Sequence, residues 1–334
     1  MAKIPGMNRG NFLKTIGTVS LAAIASKHLH ADSLPTSDIK PDKAVKTASP
    51  KAKVYMTTTI TGKALLAIYK ALGKPVSGKV AIKMHWGEPG NKNYLHPDMI
   101  RDLCAETKAS LVDSNVYYKS PRQTTAGNKK AALDHGYTFA PIDVLDADGE
   151  IRLPVHGGKH VKEAIFGSHI TNYDWIISVA HFKGHAMAGY GGTFKNLAIG
   201  IASVEGKKAI HTNGPGSGTW SCSGTPFFEK IIEYNKALMD TKRDKMIYIN
   251  ILNNLSVACD CDSSAPAPSM PDIGILASLD PVALDKASLD QIQARPKAER
   301  RELMERIESR NGGYQVIYAE KMGLGSQQYE LVKL

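Results

Sequence analysis

Residues 173–180 (YDWIISVA) are apolar almost without interruption. A strand with one wet face alternates apolar and polar residues, and this run does not, so it calls for a sheet covered on both faces. Residues 80–84 (VAIKM), 109–112 (ASLV), 246–255 (MIYINILNNL) and 273–277 (IGILA) read as further strands. Helix-like stretches lie between them. Residues 97–108 carry Pro early and acids in the first turn, 226–239 are amphipathic, 282–293 read as a helix, and 298–310 is strongly charged and closed by Asn311-Gly312-Gly313. Residues 315–319 (QVIYA) read as a last strand. This alternation predicts an α/β fold: a mostly parallel sheet flanked by helices on both faces, in a single large domain over residues 54–334.

The front of the chain reads differently. A basic stretch around Arg9 and Lys14 precedes a small-residue apolar run at 15–25 and a cleavage-type position after Ala31, the parts of an export signal over residues 1–31. The stretch Asn8-Arg9-Gly10-Asn11-Phe12-Leu13-Lys14 resembles a twin-arginine motif but has Gly10 where the second Arg belongs, which leaves the route open between twin-arginine and general secretion. The expected location is periplasmic or otherwise exported. An apolar run of this length is too short for a stable membrane span. Residues 32–53, rich in Ser, Thr, Pro, Asp and Lys, read as a flexible linker. Residues 1–53 hold nine basic and three acidic residues, six of the net charge of +10, so the body has no concentrated basic excess and a nucleic-acid partner is not expected.

In open α/β sheets, ligands bind beyond the carboxyl ends of the strands. His85 and Glu88 follow the first strand, Asp113-Ser114-Asn115 the second, His181-Phe182-Lys183-Gly184-His185 the third, Cys259-Asp260-Cys261 the fourth, and Asp272, Asp280 and Asp285 surround the fifth. Loops without a role are polar, but they are not usually loaded with His and Cys. His181 and His185 stand four apart with Gly184 between them, which suits a loop. They could ligate a metal or act as acid–base groups, or be structural, while Lys183 between them favours an anionic ligand. Gly191, Gly192, Lys195 and Asn196 form a glycine-rich turn ahead of a helix expected at 197–204. This is either an anion cradle at the helix N-terminus or a tight turn that needs glycine.

Of the four cysteines, Cys259 and Cys261 are one residue apart. They could bind zinc or iron, with His181 and His185 as added ligands, or close a strained disulfide. No Cys-x-x-Cys is present, so neither a thioredoxin-type site nor a zinc ribbon is written here.

These stretches, together with Gly206-Lys207, His211 and Pro271 to Asp285, resemble the domain of unknown function 362 family from about residue 53 onward. Many members of that family resemble iron–sulfur proteins, through a ferredoxin-like segment inserted after the position of His211. Here residues 212–225 (TNGPGSGTWSCSGT) are a short Gly/Ser-rich loop with Cys222 alone, so ferredoxin-type 4Fe–4S clusters are not expected.

The reading that follows is an exported, metal- or redox-linked enzyme acting on an anionic ligand. Its catalytic candidates are His85, His181, Lys183 and His185, and its ligand-binding candidates are Asp113, Gly191, Gly192, Lys195 and Asn196. Cys259, Cys261, His181 and His185 are the candidate ligands for iron or zinc, and a small anion or a redox protein is the expected partner. A non-catalytic binding protein for an anion is the alternative.

Overall fold

The computed structural model describes residues 51–334, so the expected export signal and most of the expected linker lie outside the described residues. In chain order the elements are β1 (Ala52–Thr57), α1 (Gly62–Ala71), β2 (Val80–Lys83), α2 (Asp98–Thr107), β3 (Ser110–Asp113), α3 (Thr125–Asp134), β4 (Ile142–Val144), β5 (Glu150–Pro154), β6 (Glu163–Gly167) and β7 (Trp175–His181). A small hairpin, β8 (Lys183–His185) and β9 (Gly189–Gly191), leads into α4 (Thr193–Ile201), α5 (Val204–His211) and α6 (Thr225–Lys242). β10 (Met246–Leu252), β11 (Gly274–Ser278), α7 (Pro281–Gln293), α8 (Lys297–Ser309), α9 (Tyr314–Lys321) and β12 (Tyr329–Lys333) complete the chain.

Eight strands form one sheet in the order β12-β1-β11-β10-β7-β2-β3-β4. All neighbours are parallel except those of β11, which runs against both β10 and β1. The predominantly apolar character of β7 and β10 has its cause here. Ile177, Val179, Ile247 and Ile249 face a core built with α1 and α2, while Ile176 and Tyr248 face a second core with α4, α6 and α7. Burying an aliphatic side chain of this kind contributes about 1.5–3 kcal/mol, so leaving either face wet would be costly.

Two expectations are corrected. Residues 315–319 are not a strand but lie within α9, because Gln315, Val316, Tyr318 and Ala319 form one buried helical face packed on α6 and α7. The β-branched and aromatic composition is overridden by that packing. β1 begins at Ala52, so the end of the expected linker is already in the sheet. Among the described residues no helix is long and apolar enough to cross a membrane.

Candidate functional site

A cavity of about 240 Å³ opens beyond the carboxyl ends of β2, β3, β7 and β10. His85, Asp113, His181, Lys183 and His185 line it from the strand ends and the β8–β9 hairpin. Gly191, Gly192, Lys195 and Asn196 line it from the start of α4, and Cys259 and Cys261 from the loop after β10. The fifth strand behaves otherwise. Because β11 is antiparallel, Asp280 emerges at the opposite edge, where it caps α7 by accepting from Ala283 N–H (2.9 Å) and also binds Ser326 N–H (2.9 Å). Asp272 stays near the site edge and accepts from Asn254 N–H.

The glycine-rich turn does not leave a helix N-terminus open. Asp285, reaching across from α7, accepts from Thr193 N–H (2.9 Å) and from Asn250 Nδ2 (2.8 Å). The positive end of α4 is therefore already satisfied by a carboxylate of the protein. Gly192 is required by that approach, since a Cβ there would stand 2.8 Å from Asp285 Oδ1. The cradle expected of Gly191 and Gly192 is corrected accordingly: they border the cavity, and the N–H groups that follow them, of Thr193 and Phe194, face the protein's own carboxylate. Asn196 is a strut. It donates to the Lys83 carbonyl (2.9 Å) and to Ser178 Oγ (3.0 Å), and it accepts from Lys83 Nζ (3.1 Å).

Charge in the cavity is uneven. Lys83, Arg122, Lys183, Lys195 and Lys207 all line it. Asp113 binds both Arg122 (2.7 Å) and Lys83 (3.1 Å), and Glu88 takes a second nitrogen of Arg122 (3.3 Å). Glu88 also accepts from Tyr118 (2.8 Å) and from Ser120. Asp260 holds Lys183 (2.7 Å) and His181 (3.0 Å). Burial alone would raise its carboxyl, but these two partners outweigh burial and keep it well below the usual range. Lys207 has only neutral acceptors, Ser114 Oγ and the Ala202 carbonyl, each at 2.6 Å. Burial pushes the ammonium of Lys207 down to about 8, and that of Lys83 also to about 8 despite Asp113. Five cations thus face three carboxylates, a surplus of positive charge in a buried space.

The histidines separate into different roles. His181 has both ring nitrogens engaged, Nδ1 by Asp260 and Nε2 by the Asn253 carbonyl (2.6 Å), so neither is free for a metal. It stands outside the ligand group expected for it and braces Asp260. His85 receives Gly87 N–H at Nδ1 (3.0 Å) and has Arg122 Nη1 at 2.9 Å from Nε2. Burial first, and then Arg122, hold its imidazolium form well below the ordinary range. His185 Nδ1 accepts from Met187 and Ala188 N–H (3.2 and 2.9 Å), which places the proton of the neutral ring on Nε2.

His185, Cys259 and Cys261 form a group of metal-ligand type, with one ligand atom from each within 4.8 Å of the others. Lys195 Nζ lies 3.7 Å from Cys259 Sγ. The Cys261 thiol donates toward Cys259, and with Lys195 and Lys183 it holds the Cys259 thiol well below its ordinary range in spite of burial, while Cys261 is pushed up. All four cysteines are free, so the disulfide considered for Cys259 and Cys261 is absent.

Arg122 and Trp220 are not among the residues singled out from sequence, and Lys83 and Lys207 enter there only through the family resemblance, with no role assigned. Lys83 had a signal, a charge inside the apolar run VAIKM. So did Trp220, the one large apolar side chain in a Gly/Ser-rich loop. Arg122 had none, because it sits in a single 3-10 turn (Pro121–Gln123) whose partners come from the end of β3 and the loop after β2.

The fold and this cavity define the class: a doubly covered α/β sheet with a cation- and thiol-lined pocket at its strand ends. The model of the family described as Domain of unknown function (DUF362) matches residues 80–290, and the chain belongs to that family. Among solved structures the chain is similar to the lactate racemase apoprotein from Thermoanaerobacterium thermosaccharolyticum, at 13% identity and TM-score 0.41 over 71% of this chain and 56% of that one. It is also similar to a structural-genomics protein from Thermotoga maritima, at 13% identity and TM-score 0.41 over 70% and 58%. The chain thus spans little more than half the length of each. None of the curated proteins matches the sequence.

Proposed function

We propose that this protein is an enzyme acting on a small anionic substrate, with Cys259, Cys261 and His185 as its reactive, metal-binding group. The observation that carries the reading is the convergence of those three ligand atoms within 4.8 Å at a cavity lined by five cations. Thiolate donors suit zinc or iron, and His185 would complete the set by giving up its Nε2 proton and the backbone bonds that Nδ1 now accepts. The chain's own cations would draw in and orient the substrate, and His85, between Gly87 N–H and Arg122 Nη1, would help to position Arg122. Metal analysis of protein purified under nitrogen tests this. About one equivalent of iron or zinc is expected, and little in Cys259→Ser or Cys261→Ser.

A second reading, thiol chemistry without a metal, is favoured by two observations. An ammonium already lies 3.7 Å from Cys259 Sγ, and His185 turns a protonated nitrogen away from its backbone partners. Metal-free protein with a reversible Cys259–Cys261 disulfide would select it. Anion binding that survives both chelation and cysteine replacement, without turnover of any bound anion, would instead leave a binding protein.

Export belongs to the same proposal and rests on residues 1–31 alone. Amino-terminal sequencing of protein from the producing cell is expected to begin after Ala31.

A further inference from the structure

Part of the cavity wall is aromatic. Tyr117, His211 and Trp220 line it together with Val116, Met187 and Ile199. Trp220 meets Tyr117 edge-on at 5.3 Å between centroids and His211 at 4.8 Å and 87°. His211 is fixed by a bond of 2.7 Å between Nδ1 and the Lys207 carbonyl, and it leans on Phe227 at 5.1 Å. Burial holds its ring down to about 4, so it presents a neutral aromatic face.

Trp220 is the unusual member. Trp86 and Trp175 are buried in the core, whereas Trp220 is 40% exposed. Its φ is +64°, a left-handed conformation that bulky side chains rarely adopt. The loop that carries it is nevertheless well tied. Asn213 N–H donates to Ser217 Oγ and to Ser221 Oγ (3.1 and 3.0 Å), Asn213 Nδ2 to the Ser221 carbonyl (2.9 Å), and Cys222 N–H to the His211 carbonyl (3.0 Å). The loop is thus built to keep an indole at the cavity wall at the expense of backbone comfort and solvent exposure.

What such a wall selects follows from charge and shape. A cationic ligand, the usual alternative partner of an aromatic face, is opposed by Lys83, Lys195, Lys207 and Arg122. A bare inorganic anion would make no use of the rings. Flat π surfaces reward a flat π partner. We infer that the anion taken by this cavity carries a planar aromatic ring, which rests on Trp220 and Tyr117 while its carboxylate or phosphate faces the lysines. The inference depends on the anionic-substrate reading above and names the class of substrate.

Calorimetric titration of the whole protein with matched probes separates the two ideas. Benzoate, cyclohexanecarboxylate and acetate form one series, and phenyl phosphate and inorganic phosphate a second. Aromatic members are expected to bind about ten-fold more tightly than the bare head groups, and benzoate more tightly than its saturated counterpart. Binding of the aromatic probes is expected to quench a fluorescence component that Trp220→Phe lacks. Trp220→Ala is expected to bring the aromatic probes to within about two-fold of the head groups while leaving acetate and phosphate unchanged. Trp220→Phe is expected to keep most of the preference and reports on the ring if the alanine variant folds poorly. Equal binding of benzoate and cyclohexanecarboxylate, or an unaltered preference in Trp220→Ala, overturns the aromatic inference and leaves the anion reading intact. No binding of any of the five probes overturns both.

Discussion

The ammonium of Lys195 stands 3.7 Å from the sulfur of Cys259, one of three residues whose ligand atoms lie within 4.8 Å of one another, so a metal held by that group would compete with the ammonium for the sulfur. At an effective dielectric constant near 20, two unit charges at about that distance interact by about 4 kcal/mol. Lys195→Met removes that competition. It is therefore expected to tighten zinc binding by at least about ten-fold, a modest share of that energy, and to weaken binding of phosphate or acetate. Competition titration with a chromogenic chelator measures the first and calorimetry the second. Unchanged zinc affinity would mean that the ammonium moves aside at no cost.

Asp113 joins Arg122 and Lys83, all three with side chains no more than 3% exposed. Removing its charge leaves two buried cations short of a partner, the situation in which one-sided changes are most costly. Asp113→Asn is expected to lower stability by about 3 kcal/mol in urea unfolding. Adding Arg122→Met to it should cost less than the sum of the single changes, because both act on one network. Strict additivity would show that the network is not an energetic unit.

Gly200 lets Lys83 pass. A Cβ at this position would overlap Lys83 Cε and Nζ, which are held by Asp113, Asn196 and the Met84 carbonyl. Gly200→Ala is expected to cost about 1–3 kcal/mol through this overpacking and to weaken anion binding, although residue 200 itself offers no charge. Thermal unfolding and phosphate titration of the same sample check both parts.

Lys207 supplies a pH dependence with a definite sign. Its pKa in the folded chain is about 8, against 10.5 in the unfolded one. Below pH 8 both states hold the proton and the folded state carries the full cost of the buried charge, on the order of 3 kcal/mol. Between the two values the unfolded chain binds the proton that the folded chain has released, so this contribution to stability rises with pH. Lys207→Met is therefore expected to be more stable than the parent at pH 7, with the gap closing towards pH 10.5, and to bind anions less well. Parallel urea titrations across that range measure the gap, and a constant gap would show that Lys207 is not held down.

Much of the architecture was legible beforehand. The nearly continuous apolar run at 173–180 marked a sheet with two covered faces, 246–255 marked another strand, and the helix-like stretches between the strands marked its helices. The polar groups at four strand ends were legible too, because the rule that places ligands there depends only on strand direction. Residues 315–319 misled because their strand-like composition is outweighed by contacts with α6 and α7 that no local pattern reveals.

The sequence by itself determined what is buried and which chemical groups stand near the strand ends, since burial is written in local periodicity. Only the tertiary structure decided which charges meet. It reversed β11 and so removed Asp280 from the site, it spent the start of α4 on Asp285, and it turned His181 into a brace for Asp260. It also brought in Arg122, Lys207 and Trp220 from segments with no shared pattern. The reason is electrostatic and steric: in a low-dielectric interior a charge is defined by its neighbours within a few ångströms, and for Lys183 and Asp260, 77 residues apart in the chain, only the folded topology supplies them.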